Sequence, residues 1–142
     1  MRLVMSAAAV LLCSVGAVSA QQAMRSGPTA PELQHGKEVY AKWCTPCHAP
    51  VPGVAGTFAL TTKYAGTDTP AALEDRTDLQ PAVIAYFVRN GIAWMPPFRP
   101  TEVNDADLAA LSAYLTAPLD ARGAPAELLA QEMIRKQQEA GQ

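Results

Sequence analysis

Apolar residues recur at helical spacing in some stretches of the chain and lose all period in others. Leu33, Gly36, Val39, Tyr40 and Trp43 share one face, so residues 31–43 are predicted helical. From 49 to 76 the period vanishes. Pro50, Pro52, Gly53, Gly56, Gly66 and Pro70 punctuate that stretch, which predicts a loop with short turns. A second helix is expected with its cap at Thr77 or Asp78, Pro81 in its first turn, and Ile84, Phe87 and Val88 facing inward. Asn90-Gly91 stops it. Asn104 and Asp107 form a capping pair for a third helix that buries Leu108, Leu111, Tyr114 and Leu115, and Pro118 ends it. Pro125 opens a further predicted helix over 126–139. The expected class is all-α, a few helices joined by loops.

The first residues are expected to lie outside that fold. Met1-Arg2 is a short positive start, residues 3–18 are almost wholly apolar, and Ala17-Val18-Ser19-Ala20 has a small-residue cleavage pattern. Residues 1–20 therefore read as a secretory signal peptide. A membrane anchor would need about 20 apolar residues, so no stable anchor is expected. A lipoprotein signal would want a small residue before Cys13, and Leu12 is not one. Export places the mature chain, from Gln21, in the periplasm. Residues 21–30 are rich in Gly, Pro and Ser and are expected to be a mobile lead-in. Residues 118–142 form a C-terminal extension beyond a domain spanning 31–117.

Composition narrows the function. A chain of 142 residues defaults to one domain. Eleven basic against thirteen acidic residues give a formal net charge of −2, no basis for holding a phosphate backbone, so nucleic acid is excluded as a partner. Aromatic residues make up 6% of the chain, thin for a full core. Something other than side chains is expected to fill the middle.

Cleavage would leave two cysteines, Cys44 and Cys47, followed at once by His48. In an oxidising compartment the pair could be a disulfide. A redox-active CxxC of the thioredoxin type would want a βαβ context, and a zinc site would want a second pair of ligands where only His35 is spare. Cys44-Thr45-Pro46-Cys47-His48 reads best as a covalent haem c site, one haem per chain. Each thiol adds across a vinyl group, and the adjacent histidine reaches the iron. A macrocycle in the core also answers the shortage of aromatics.

The sixth ligand decides between electron transfer and ligand chemistry. Met24, Met95, Met133 and His35 are the candidates. Met24 lies in the lead-in, Met133 sits among apolar residues of the last predicted helix, and His35 lies on the first helix nine residues before Cys44. Met95 precedes Pro96-Pro97, which fix the backbone and remove two amide donors, so it stands on a stiff loop. A gap-filling methionine is the blander alternative. A His48/Met95 pair would saturate the iron and raise its potential, which disfavours a peroxidase-like enzyme and favours one-electron transfer. The second imidazole nitrogen of His48 needs an acceptor, and the Pro52 carbonyl is the candidate. Arg76, Arg89 and the Trp94 indole are candidates to neutralise a haem propionate, with plain solvation as the alternative for each arginine.

The chain resembles the class I c-type cytochromes over residues 31–117. The resemblance rests on Cys44-Thr45-Pro46-Cys47-His48, on Met95 about fifty residues later, and on Gly36 and Tyr40 in the first helix with Tyr114 in the last. It implies the class I cytochrome c fold, in which the first and last helices cross closely at a glycine. Pro52-Gly53, Lys63-Tyr64-Ala65-Gly66, Leu73-Glu74-Asp75-Arg76-Thr77-Asp78-Leu79 and Val88-Arg89-Asn90-Gly91 through Met95-Pro96-Pro97-Phe98 look like the cytochrome subunits of p-cresol methylhydroxylase and related flavin-dependent alkylphenol and aryl-alcohol dehydrogenases. That likeness implies a flavoprotein dehydrogenase partner and a downstream electron acceptor. A free periplasmic carrier serving several partners is the alternative. Ala49, Pro50, Val51, Ile92 and Pro97 are expected to ring the exposed haem edge and to favour an apolar, lasting interface over a charged one.

Overall fold

The computed structural model describes residue 25, residues 28–51 and residues 53–123. The proposed signal peptide, Met24, Pro52, and the helix expected over 126–139 with Met133 lie outside the described residues. Within them the chain is helical, with one isolated bridge between Ile92 and Met95. A 3-10 turn, Pro31–Leu33, leads into α1 (Gln34–Trp43). Then come α2 (Thr45–His48), α3 (Ala55–Lys63), a 3-10 turn Leu73–Asp75, α4 (Pro81–Asn90), α5 (Asp105–Thr116) and a 3-10 turn Leu119–Arg122. None of the described helices is long and apolar enough to cross a membrane.

Three helices follow the expected pattern. α1 buries Gly36, Val39 and Tyr40. α4 buries Ile84 and Val88 and leaves Phe87 half-buried. α5 starts where Asn104 Oδ1 accepts the Asp107 amide at 2.9 Å, and it buries Leu108, Leu111, Tyr114 and Leu115. One core joins them, with Leu33 and Val103 added from the connections.

Two expectations need correction. Residues 55–63 form α3 rather than loop. The breakers cluster on either side of it, at 50–53 and 66–70, and leave a run of ordinary helix formers between. α3 buries Thr57 and leaves Phe58 exposed, so it has no apolar stripe to detect. Thr61 and Thr62 hydroxyls donate to carbonyls one turn back. α4, for its part, is capped at Gln80, not at Thr77 or Asp78. Pro81 already has the helical φ and no amide to satisfy, so no side-chain cap is required.

α1 and α5 cross with their backbones in contact. A Cβ at Gly36 would lie 2.1 Å from the Ala110 carbonyl oxygen and 2.7 Å from Tyr114 Cβ. Beside that crossing Tyr40 and Tyr114 are fully buried, their ring centroids 6.1 Å apart.

The chain on both sides of the helical core is tied down by two buried arginines. Arg25, placed by its sequence in a mobile lead-in, is buried. Its guanidinium donates to the carbonyls of Glu74, Leu119 and Gly123 and pairs with Asp75 at 2.8 Å. Arg122 donates to the carbonyls of Ala117, Glu74 and Arg76. The Ala30 amide adds a bond to the Ala121 carbonyl at 3.0 Å. A buried guanidinium is tolerated where its donors find acceptors; Arg25 has partners at all three nitrogens and Arg122 at Nε and Nη1.

Gly36→Ala drives a methyl into main-chain atoms that cannot turn aside. It is expected to cost at least about 2 kcal/mol, read as a lower denaturant midpoint at unchanged slope.

Candidate haem-binding site

Cys44 caps the C-terminal end of α1, and α2 continues from it as a single turn. The Cys47 and His48 amides both donate to the Cys44 carbonyl, at 3.0 and 2.8 Å. Residues three apart on a helical turn are neighbours, so both thiols are offered together. Both are free, Cys44 half-buried and Cys47 exposed. Burial, with smaller contributions from Glu74 and Cys47, pushes the Cys44 thiol up to about 12.

His48 is held from two sides. The Tyr40 hydroxyl donates to its carbonyl at 2.9 Å. α3 lies against its ring at Gly56, where a Cβ would fall 2.6 Å from His48 Cε1, 2.8 Å from Nδ1 and 2.5 Å from the Cys47 carbonyl oxygen. Nδ1 is buried and has no hydrogen-bond partner among the described residues. Burial lowers the His48 pKa, which favours the neutral imidazole that a metal requires. The Thr57 hydroxyl, donating to the Ala49 carbonyl at 2.7 Å, fastens α3 to the end of the attachment turn.

Met95 is half-buried in a loop closed by mutual hydrogen bonds, Ile92 amide to Met95 carbonyl at 3.0 Å and Met95 amide to Ile92 carbonyl at 2.9 Å. Gly91 has φ 68° and Ala93 φ 50°, both left-handed. A Cβ at Gly91 would also meet the Met95 carbonyl oxygen at 2.4 Å. The Phe98 amide donates to the Val88 carbonyl at 2.8 Å, and the Phe98 ring stands edge-on to Trp43, centroids 5.8 Å apart. Trp43 immediately precedes Cys44, so the Met95 loop is packed onto the end of the helix that carries the attachment turn.

The propionate candidates fare differently. Arg76 is buried, not solvated. It bonds Asp78 through Nε and Nη2 and the Tyr64 hydroxyl through Nη1, with its guanidinium 4.8 Å over the Tyr64 ring. Arg89 donates to the carbonyls of Phe98 and Val103 and pairs with Asp105 at 2.8 Å. It is a clasp across the Met95 loop, not a solvated side chain. Trp94 is 99% exposed at the turn's apex, with no partner for its indole N–H among the described residues. Pro52 lies outside the described residues. His35 is exposed and pairs with Asp107 at 2.8 Å. The roles of Gly56, the Tyr40 hydroxyl and the Arg89 clasp were missed from sequence. By type Gly56 is a loop breaker, and nothing local marks the other two roles.

Two free thiols on one turn, a neutral imidazole seated with one nitrogen sealed, and a clamped thioether loop fit a covalently attached haem. The helical fold and this site define a c-type cytochrome. Residues 31–115, more than half of the chain, match the family model described as cytochrome C oxidase, cbb3-type, subunit III, and the chain belongs to that family. It is a class I cytochrome c domain with covalently attached haem c, and it is an electron carrier, not an enzyme. No curated protein and no solved structure gives a significant match to the chain.

Gly56→Ala tests the seating of His48. The added methyl must displace the imidazole or lift α3. Expected is a loss of about 1–3 kcal/mol together with a changed visible spectrum of the haem-loaded protein. An unchanged spectrum and midpoint would show that α3 does not hold the ring.

Proposed function

We propose that Cys44 and Cys47 bind the haem through thioethers, that His48 and Met95 are its axial ligands, and that the chain passes single electrons from a periplasmic flavoprotein dehydrogenase to a downstream acceptor. Residues 1–20 direct the export that this requires. The observation that carries the ligand assignment is the clamping of the Met95 loop by the Trp43–Phe98 contact, the Phe98–Val88 hydrogen bond and the Arg89 clasp. A gap-filling methionine needs none of these, whereas a ligand must be held through a change of iron charge.

When bound, the haem supplies a one-electron couple. The residues do the rest. His48 offers Nε2, because Nδ1 is the nitrogen sealed against α3. Met95 offers a soft thioether, which favours the ferrous state and raises the potential. With both held by packing and hydrogen bonds, little moves as an electron comes or goes.

The flavoprotein assignment, of the alkylphenol or aryl-alcohol dehydrogenase type, rests on the sequence likeness and on the character of the loop tip. Ile92 and Trp94 are exposed there, followed by Pro96 and Pro97. An apolar tip suits an interface formed by burial rather than by charge. An oxidase of the kind that the family description names would be a suitable downstream acceptor.

Met95→Ala is expected to abolish the weak far-red band of methionine-ligated ferric haem and to lower the potential, while Met24→Ala and Met133→Ala leave both unchanged. Loss of the band on either of the latter would move the ligand elsewhere. Ile92→Lys is expected to slow electron transfer from the flavoprotein by about tenfold or more, roughly 1.4 kcal/mol, with the spectrum intact. A silent Ile92→Lys, with association that collapses at moderate salt, would favour the diffusible carrier.

A further inference from the structure

One buried carboxyl takes no part in the attachment turn or the Met95 loop. Glu74, in the 3-10 turn Leu73–Asp75, is 2% exposed. The Tyr114 hydroxyl donates to its Oε1, while Oε2 is buried with no partner among the described residues. Leaving a carboxylate oxygen unmet in a dry interior is costly, so burial pushes the Glu74 pKa up, and the Tyr114 hydrogen bond partly offsets this.

The groups around it define what titrates. From α1 come Tyr40 and Lys37, from its end Cys44, and from α5 Tyr114. Arg25 and Arg122 both donate to the Glu74 carbonyl, and Arg25 is shared with the neighbouring Asp75 carboxylate. Burial pushes both tyrosine hydroxyls above their ordinary range, so neither ionises near neutral pH. Cys44, once in a thioether, has no proton to lose. Glu74 is the buried carboxyl of this group, with one oxygen unpartnered among the described residues, so its charge can change in response to another charge in the core.

A packed route leads from it to the attachment turn. The Tyr114 ring rests on Tyr40, centroids 6.1 Å apart, and the Tyr40 hydroxyl holds the His48 carbonyl at 2.9 Å. We infer that Glu74 is a proton-linked tuning residue: it takes a proton from solvent when one electron enters the centre, releases it when that electron leaves, and so makes the reduction potential depend on pH. Electron and proton together leave the charge of the interior unchanged. Charges in a poorly screened interior interact far more strongly than in water, so the oxidised centre favours the carboxylate and the reduced centre favours the acid. The coupling is reciprocal, and ionisation of Glu74 must lower the potential. The potential is therefore level at low pH, falls as pH rises between the oxidised-state and reduced-state pKa values of Glu74, and levels again.

This rests on the haem ligation proposed above, which the visible spectrum reports separately. Spectroelectrochemical titration of the haem-loaded protein from about pH 4 to about pH 9 spans the carboxyl and imidazole ranges. Wild type should show the downward step. Glu74→Gln should abolish it while keeping the far-red band. Tyr114→Phe removes the donor to Oε1 and should move the step to higher pH, so it tests the inference even if Glu74→Gln fails to fold. A flat wild-type profile, a step of full size in Glu74→Gln, or an unmoved step in Tyr114→Phe would overturn the inference. A missing far-red band in wild type would instead indict the ligation.

Discussion

At Gly36 the main chains of α1 and α5 touch, with no room for a methyl between Gly36 and Ala110. That approach brings Tyr114 over Tyr40, and Tyr40 in turn holds the carbonyl of His48. The end of α1 then does two tasks. It continues into the Cys44–His48 turn, and through Trp43 it meets Phe98 of the methionine loop. Both proposed axial ligands thus inherit their positions from one helix crossing. Interiors are close-packed and transmit small displacements, so a change at the crossing is felt at both ligands.

The arginines extend the same principle to the loops. Arg89 fixes the descent from Phe98 to Asp105, while Arg25 and Arg122 bind the Leu73–Asp75 turn to the flanking segments. Each uses a fork of donors to satisfy main-chain carbonyls that the loops cannot pair among themselves. The domain described in space therefore reaches beyond residues 31–115 of the family match, to Arg25 on one side and Arg122 on the other.

What was legible in the sequence was either local or periodic. The Cys44–His48 motif, the Asn104 cap, the faces of α1 and α5 and the stop at Gly91 each depend on neighbours within a turn or two. What was not legible depends on partners far along the chain. α3 has no apolar stripe because it packs through a glycine and a threonine, and Gly56 shows its purpose only once His48 lies beneath it. Nothing local in the sequence marks Arg25 or Arg122, and Arg76 and Arg89, read as propionate candidates or solvated cations, show their carbonyl and carboxylate partners only in the fold. Glu74 is a surface residue by type, and it is buried because Tyr114 arrives from forty positions away.

The most direct test of the whole arrangement is the mass of the peptide that carries Cys44 and Cys47, taken from mature protein made with the cytochrome maturation machinery. One haem added across both cysteines, with no free thiol and no disulfide, is the expected result. A folded, full-length product whose peptide carries no haem, or whose two cysteines are joined to each other, would contradict it.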